Sequence, residues 1–147
     1  VKKPQQASAE DVLDLSVAVI EFYFRIEAIT EALAGFATAG GEWGTLRTLV
    51  KEGPQTVPDM ARSKPVSRQH CQTIVNALEA QGLVEFVANP KHKTSKLVRA
   101  TKSGRARFES MRKQFLSAAG AYAPAFTASE VATATDVCRR AREMIKV

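Results

Sequence analysis

Apolar positions are too dense between Val12 and Leu33 to form one helical stripe. They include Val12, Leu15, Val19, Ile20, Ile26, Ile29 and Leu33, with Phe22, Tyr23 and Phe24 consecutive and so pointing in three directions. A helix that is apolar on more than one side needs cover on more than one side, and in so short a chain a second subunit is the natural cover. Ser8 followed by Asp11 resembles a capping box, which predicts a long helix from about residue 8 to Ala39. Gly40-Gly41 break the pattern. Trp43, Leu46, Leu49 and Val50 then recur at helical spacing until Gly53-Pro54 stop them.

From Thr56 the pattern shortens. Thr56 with Asp59 forms another capping box, and Pro58 sits in the first turn, where its missing N–H is harmless. The short helix this predicts runs from Val57 to about Arg62, with Met60 and Ala61 inward. Ser63-Lys64-Pro65 read as a turn, and Ser67 as the cap of the next helix. In that helix Cys71, Ile74, Val75 and Leu78 share one face with Val66 as staple. Ser67, Arg68, Gln69, Gln72, Thr73 and Asn76 are left on the other face, and Gly82 supplies the stop. Residues 83–87 and 96–100 read as two strands around the loop 89–95. Thr101 caps a helix from Lys102 to about Tyr122, with Gly104, Phe108, Met111, Phe115, Ala118 and Tyr122 in alternating steps of four and three. Pro124 ends it, Thr127 and Glu130 form a full capping box, and the last helix repeats Val131, Ala134, Cys138, Ala141 and Ile145. The two seams predict lengthwise packing of both terminal helices, within the chain or against a partner.

Composition narrows the reading. The 147 residues suffice for one domain with a sizeable core. No signal sequence and no run of about 18 apolar residues is evident, which weakens membrane readings. Two cysteines make no disulfide framework and fit a reducing cytoplasm. The net charge of +6 is unevenly spread: residues 62–113 hold twelve Lys and Arg against three acids, whereas residues 1–61 hold five against nine. A helix–turn–helix followed by a basic hairpin, carrying +9 in one third of the chain, is the footprint of a protein that docks on a polyanion, most simply duplex DNA.

Four segments carry a resemblance: EWGTLRTL (42–49), GPQTVPDMA (53–61), VSRQHCQTIVNALEAQGLV (66–84) and NPKHKTSKLVRATKSG (89–104). In these, and in its order of helices throughout, the chain resembles the MarR-type winged helix-turn-helix transcriptional regulators. The resemblance implies a mainly α single domain over 1–147: a two-stranded β wing, a DNA-binding lobe at about 42–101, and a dimerisation body from helices at about 8–39 and 102–147. It implies a homodimer with a recognition helix in the major groove and a wing on the minor groove. It further implies repression relieved by a small apolar or aromatic effector. The wing departs from the family pattern, which reads Asp-Pro, an acid, then Asp and one or two Arg. Asn89 replaces the first Asp, His92 the second, Lys93 the Arg and Thr94 the second Arg, so the tip is more basic and the usual ion pair is in question.

The chemistry of the candidate residues agrees. Arg pairs bidentately with guanine, and Gln or Asn with adenine, which makes Arg68, Gln69, Gln72 and Asn76 candidate base readers. Ser67 and Thr73 are the right types for phosphate or base methyl groups. The alternative for this face is simple solvation. Lys91 and Lys93, with Lys96 beside them, suit the negative potential of a minor groove; a mobile solubilising loop is the alternative. Lys64, Arg62 and Arg99 are candidates for phosphate contact, and Arg105 and Arg107 read as ordinary surface charges. Trp43, Phe36, Tyr23, Phe22 and Phe24 suit either an effector cavity or, more simply, core and dimer interface. His70 and His92 lack metal-ligand spacing, no cofactor is implied, and no catalytic constellation appears. The rival readings are a winged-helix module that binds an acidic protein and a thiol-based redox sensor.

Overall fold

The computed structural model describes residues 5–34, 41–64, 66–92 and 94–145, with the backbone alone at 30–34. The order is α1 (Ala9–Ala34), α2 (Glu42–Lys51), α3 (Val57–Ser63), α4 (Arg68–Ala80), β1 (Val84–Val87), β2 (Leu97–Ala100), α5 (Lys102–Gly120), a 3-10 turn at Ala123–Ala125, and α6 (Ala128–Met144). The expected continuation of α1 to Ala39 lies outside the described residues, as do Phe36, Pro65 and Lys93.

The caps fall where the side-chain chemistry puts them. Asp11 N–H donates to Ser8 Oγ at 3.1 Å and Ser8 N–H to the Asp11 carboxylate at 2.7 Å. Thr56, Ser67 and Thr101 each accept from the backbone N–H three residues on. Thr127 and Glu130 complete a reciprocal box. Gly53 and Gly82 end their segments at φ +89° and +70°, a region that favours glycine.

One core holds the lobe together. Leu46 and Leu49 of α2, Val57, Met60 and Ala61 of α3, Cys71, Val75 and Leu78 of α4, Val84, Val98 and Ala100 of the hairpin, and Phe108 and Met111 of α5 are all buried. Trp43 stacks on Phe108 and Phe115, with centroids 4.8 and 5.9 Å away, so it joins α2 to α5. The strands pair antiparallel with Val84 opposite Ala100 and Glu85 opposite Arg99. Gln55 adds a one-residue rung on the other edge of β2: its N–H donates to Val98 O at 3.2 Å, and Val98 N–H returns to Gln55 O at 2.8 Å. This rung was not legible in the sequence, because a one-residue bridge has no periodicity. It ties the entry to α3 to the base of the hairpin.

The helical body is covered on few sides. α1 packs against α5, yet Val12, Leu13, Ile20, Phe22 and Phe24 are all more than half exposed. No residue of α6 is buried. The seam expected from Val131 to Ile145 therefore faces outward, and Cys138 on it is exposed. No helix among the described residues is long and apolar enough to cross a membrane.

Candidate nucleic-acid interface

α4 is positioned by its inner face. Cys71, Val75 and Leu78 sink into the core, with Ile74 and Val66 packed against it. The opposite face is forced outward by the helical period: Ser67, Arg68, Gln69, Thr73 and Asn76 are exposed, and Gln72 is half-buried. Arg68 and Gln69 make no side-chain hydrogen bond or ion pair among the described residues, so both donor sets are open. Three other groups are already engaged. Gln72 Nε2 donates to Asn76 Oδ1 at 2.7 Å, and Thr73 Oγ1 donates to Gln69 O at 3.0 Å.

The wing stands beside α4. A crevice of about 430 Å³ separates them, walled by Val57, Pro58 and Phe86, with Gln72 on one side and Thr94, Ser95 and Lys96 on the other. A second groove, of about 520 Å³, runs between the start of α3 and the wing tip and is lined by Asp59, Arg62, Asn89, Lys91 and His92 among others. Asn89 shapes the tip: its Oδ1 accepts from Lys91 N–H at 3.0 Å, and its carbonyl accepts from His92 N–H at 3.3 Å. An Asn makes this turn as well as an Asp does, so the turn does not need the family's acid. Lys91, His92, Thr94 and Lys96 are exposed.

The remaining candidates divide. Arg62 is exposed but ion-paired with Asp59. Arg99 directs Nε and Nη2 to Glu85 Oε1 at 3.1 and 2.8 Å across the hairpin, which keeps both half-exposed. Lys64 departs from the expectation of an outward phosphate ligand. Its Nζ is buried with no hydrogen-bond partner among the described residues, and burial pulls the ammonium below its ordinary range. The turn after α3 folds this side chain back toward Cys71 instead of out to solvent. Arg107 is also more than a surface charge: its Nε donates to Glu42 Oε1 at 2.7 Å, bridging α5 to the start of α2, and that bond holds the guanidinium more firmly protonated.

Little in this lobe suits a different chemistry. The described residues contain no group of three or more His, Cys, Asp or Glu placed to hold a metal. Cys71 is buried and its thiol is pushed up by burial, which opposes thiolate formation. Neither groove is lined by Trp43, Phe22, Tyr23 or Phe24. Trp43 is a core residue, and the other three lie on exposed α1.

Comparison with known proteins places this geometry. A model of the MarR family matches residues 36–93. Over 60 residues the chain is 42% identical to uncharacterized proteins of Mycobacterium bovis (Mb2034c) and Mycobacterium tuberculosis (Rv2011c), a match covering 41% of this chain and 42% of each relative. The chain thus matches less than half the length of these curated relatives. A MarR-family transcriptional regulator from Rhodococcus sp. RHA1 superposes with a TM-score of 0.75 at 19% identity, over 97% of this chain and 100% of that one. CouR from Rhodococcus jostii RHA1, solved with p-coumaroyl-CoA bound, superposes at 0.73 and 19% identity over 97% and 99%. The lobe at residues 36–93 thus matches the MarR family model, and the chain shares the winged-helix fold of the MarR-family structures.

Proposed function

We propose that the chain is a sequence-specific, double-stranded-DNA-binding transcriptional regulator, working in the cytoplasm as a homodimeric repressor and catalysing no reaction. The observation that carries this is the division of α4. Three side chains anchor it in the core while Arg68, Gln69, Gln72, Thr73 and Asn76 line the opposite face beside a basic wing. A helix of this width fits the major groove, and these side-chain types match base edges. In this reading Arg68 and the amides read bases, Ser67 and Thr73 touch phosphate or a thymine methyl, and Lys91 and Lys93 neutralise phosphates at the minor groove. Lys64 would first have to swing its buried Nζ outward to join them.

The homodimer is supported by the exposed apolar residues of α1 and the uncovered seam of α6, too extensive a set to leave in water. Two copies of α4 on one face of a duplex require half-sites about one helical turn apart, roughly 34 Å. Release by a small apolar or aromatic effector follows if the molecule fits only one spacing of the two α4 helices, since its differential binding sets the shift in DNA affinity. CouR, solved with p-coumaroyl-CoA bound, makes an aromatic acyl group on a large anionic carrier one chemistry to test alongside free aromatics.

The test is selection of bound fragments from a random duplex pool, with footprinting of the winners and light scattering of the free protein. The expected result is an inverted repeat with that half-site spacing and a dimer mass. A protein that protects no site is an interaction module for another protein, and a monomeric one has no second α4 to place.

A further inference from the structure

We propose that Lys64 is a latch in the turn between α3 and α4: its side chain is stowed while the protein is free and is drawn out to a backbone phosphate when a duplex docks, so that binding opens the latch and takes up a proton. This rests on the DNA-binding reading of α4 and adds to it a coupled movement and a dependence on pH.

The stowed amine has nothing to hold it. Lys64 Nζ is buried and has no hydrogen-bond partner among the described residues. Buried polar groups in folded proteins are almost always hydrogen-bonded, and one that is not calls for a reason. The groups facing it do not retain a cation. Cys71 on α4 is a buried thiol, and Arg47 on α2 carries charge of the same sign. Glu52, just past the end of α2, faces it too, but its Oε2 already accepts from Gln55 Nε2 at 3.1 Å. The charged residues of α3 itself, Asp59 and Arg62, are exposed and paired with each other.

The turn lets this side chain move without unwinding either helix. Behind it, Ser63 Oγ donates to Met60 O at 3.0 Å, and Val66 N–H reaches back to Ala61 O at 3.4 Å. Ahead of it, Ser67 Oγ accepts from His70 N–H at 3.1 Å and caps α4. The backbone is therefore tied on both sides of Lys64, while the flexible lysine stem is free to change rotamer. The turn adjoins the N-terminal end of α4, whose dipole and free N–H groups favour a phosphate. There the amine exchanges a site without a partner for a charge-assisted hydrogen bond.

The proton follows from the same geometry. Burial, foremost, holds the ammonium below its ordinary range in the free protein, with Arg47 acting in the same direction and Cys71 and Glu52 against it. Beside a phosphate the charged form is favoured instead. The amine therefore titrates lower in the free protein than in the complex. Between those two values the complex holds a proton that the free protein has released, and association weakens as pH rises. The limit is about tenfold per pH unit for each protomer.

The experiment follows binding to the duplex site that wild type selects, by fluorescence anisotropy, across salt and from about pH 7 to about pH 9.5, below the ordinary lysine range. Lys64→Met keeps an unbranched stem and drops the charge. It should melt a few degrees above wild type, because no amine is desolvated. Near neutral pH it should bind more weakly and flatten the slope of log affinity on log salt by about one unit per protomer. It should also lose the fall in affinity with rising pH. Lys64→Arg, whose guanidinium stays charged, should keep the wild-type salt slope and lose that fall as well. Calorimetry in two buffers of different ionisation enthalpy counts the proton in the unaltered protein. Wild type should take up protons on binding towards the alkaline end, and the uptake should persist in Cys71→Ala, with its fold verified by circular dichroism. A Lys64→Met protein with the wild-type salt slope would mean that the amine stays stowed in the complex, and would overturn the proposal. So would a Lys64→Met melt below that of wild type, wild-type binding without proton uptake, or uptake that vanishes in Cys71→Ala. A wild type that binds duplex with a flat pH profile removes the latch alone, whereas one that binds no duplex removes the DNA-binding reading and the latch with it.

Discussion

Gly104 sits in the first turn of α5, where that helix passes the start of the hairpin. A Cβ built there would lie 1.9 Å from Leu83 O and 2.9 Å from Leu83 C. Both atoms are backbone, so no rotamer change relieves the overlap, and the chain must separate by more than an ångström. The same junction is held by Thr101 N–H donating to Leu83 O at 3.0 Å and Thr101 Oγ1 donating to Gly82 O at 2.7 Å. Two effects oppose each other in Gly104→Ala. Alanine in a helix gains up to about 1 kcal/mol over glycine. Overpacking against an unyielding neighbour costs about 1–3 kcal/mol, and loosening the two Thr101 bonds costs about 1 kcal/mol each. Cost exceeds gain, and a net loss of about 2–4 kcal/mol is expected. For a domain of this size that lowers Tm by roughly 4–16 °C. The control is Gly120→Ala, near the other end of α5, where a Cβ meets nothing within 4 Å; it should be neutral or stabilise by a few tenths of a kcal/mol. Thermal melts by circular dichroism should be run at one protein concentration, because an oligomer's Tm depends on it. If Gly104→Ala melts at or above wild type, the close approach of α5 to Leu83 is wrong, and with it the way the wing is anchored.

Four further outcomes follow from the same reasoning. Arg68→Ala should relax sequence preference at one position of each half-site and cost about 1–3 kcal/mol there; equal losses on specific and random DNA would take Arg68 off the list of base readers. Lys91→Ala should weaken all sequences alike and flatten the dependence of log affinity on log salt by roughly one unit per site, and an unchanged slope would assign the residue to solvent. The capping carboxylates Asp11, Asp59 and Glu130 are all held below their ordinary range. The first two are held chiefly by side-chain bonds to Ser8 and Thr56, and Glu130 by the Thr127 backbone N–H. A depressed folded pKa gives stability that is present above the unfolded value near 4 and is lost as pH falls through the lower, folded one. Melts should therefore drop below about pH 4, less steeply in Glu130→Gln, and identical acid profiles would exclude Glu130 from the linkage. Finally, a thiol reagent at neutral pH should leave buried Cys71 unmodified until the protein is unfolded; labelling of Cys71 at the rate of a free thiol would revive the redox-sensor reading.

Much of this architecture is local, and local chemistry is readable. Ser8, Thr56, Ser67, Thr101 and Thr127 cap five helices because a short polar side chain ahead of an apolar run has orphan N–H groups to satisfy. The alternation of Cys71, Val75 and Leu78 with Arg68, Gln72 and Asn76 sorts α4 into two faces before any neighbour is known. The dense apolar pattern of α1 likewise anticipates that Val12, Leu13, Ile20, Phe22 and Phe24 stay more than half exposed in the single chain. What the chain alone could not disclose depends on where distant segments meet. The single rung from Gln55 to Val98, the Arg107–Glu42 bridge across α5 and α2, and the stacking of Trp43 between Phe108 and Phe115 all join residues far apart in sequence. Lys64 makes the point most sharply. Its position in a basic turn suggested an outward cation, and the packing of α3 on α4 buried its Nζ. Caps and helical faces obey forces acting over three or four residues, whereas contacts between elements depend on how whole surfaces fit, so only the assembled fold decides them.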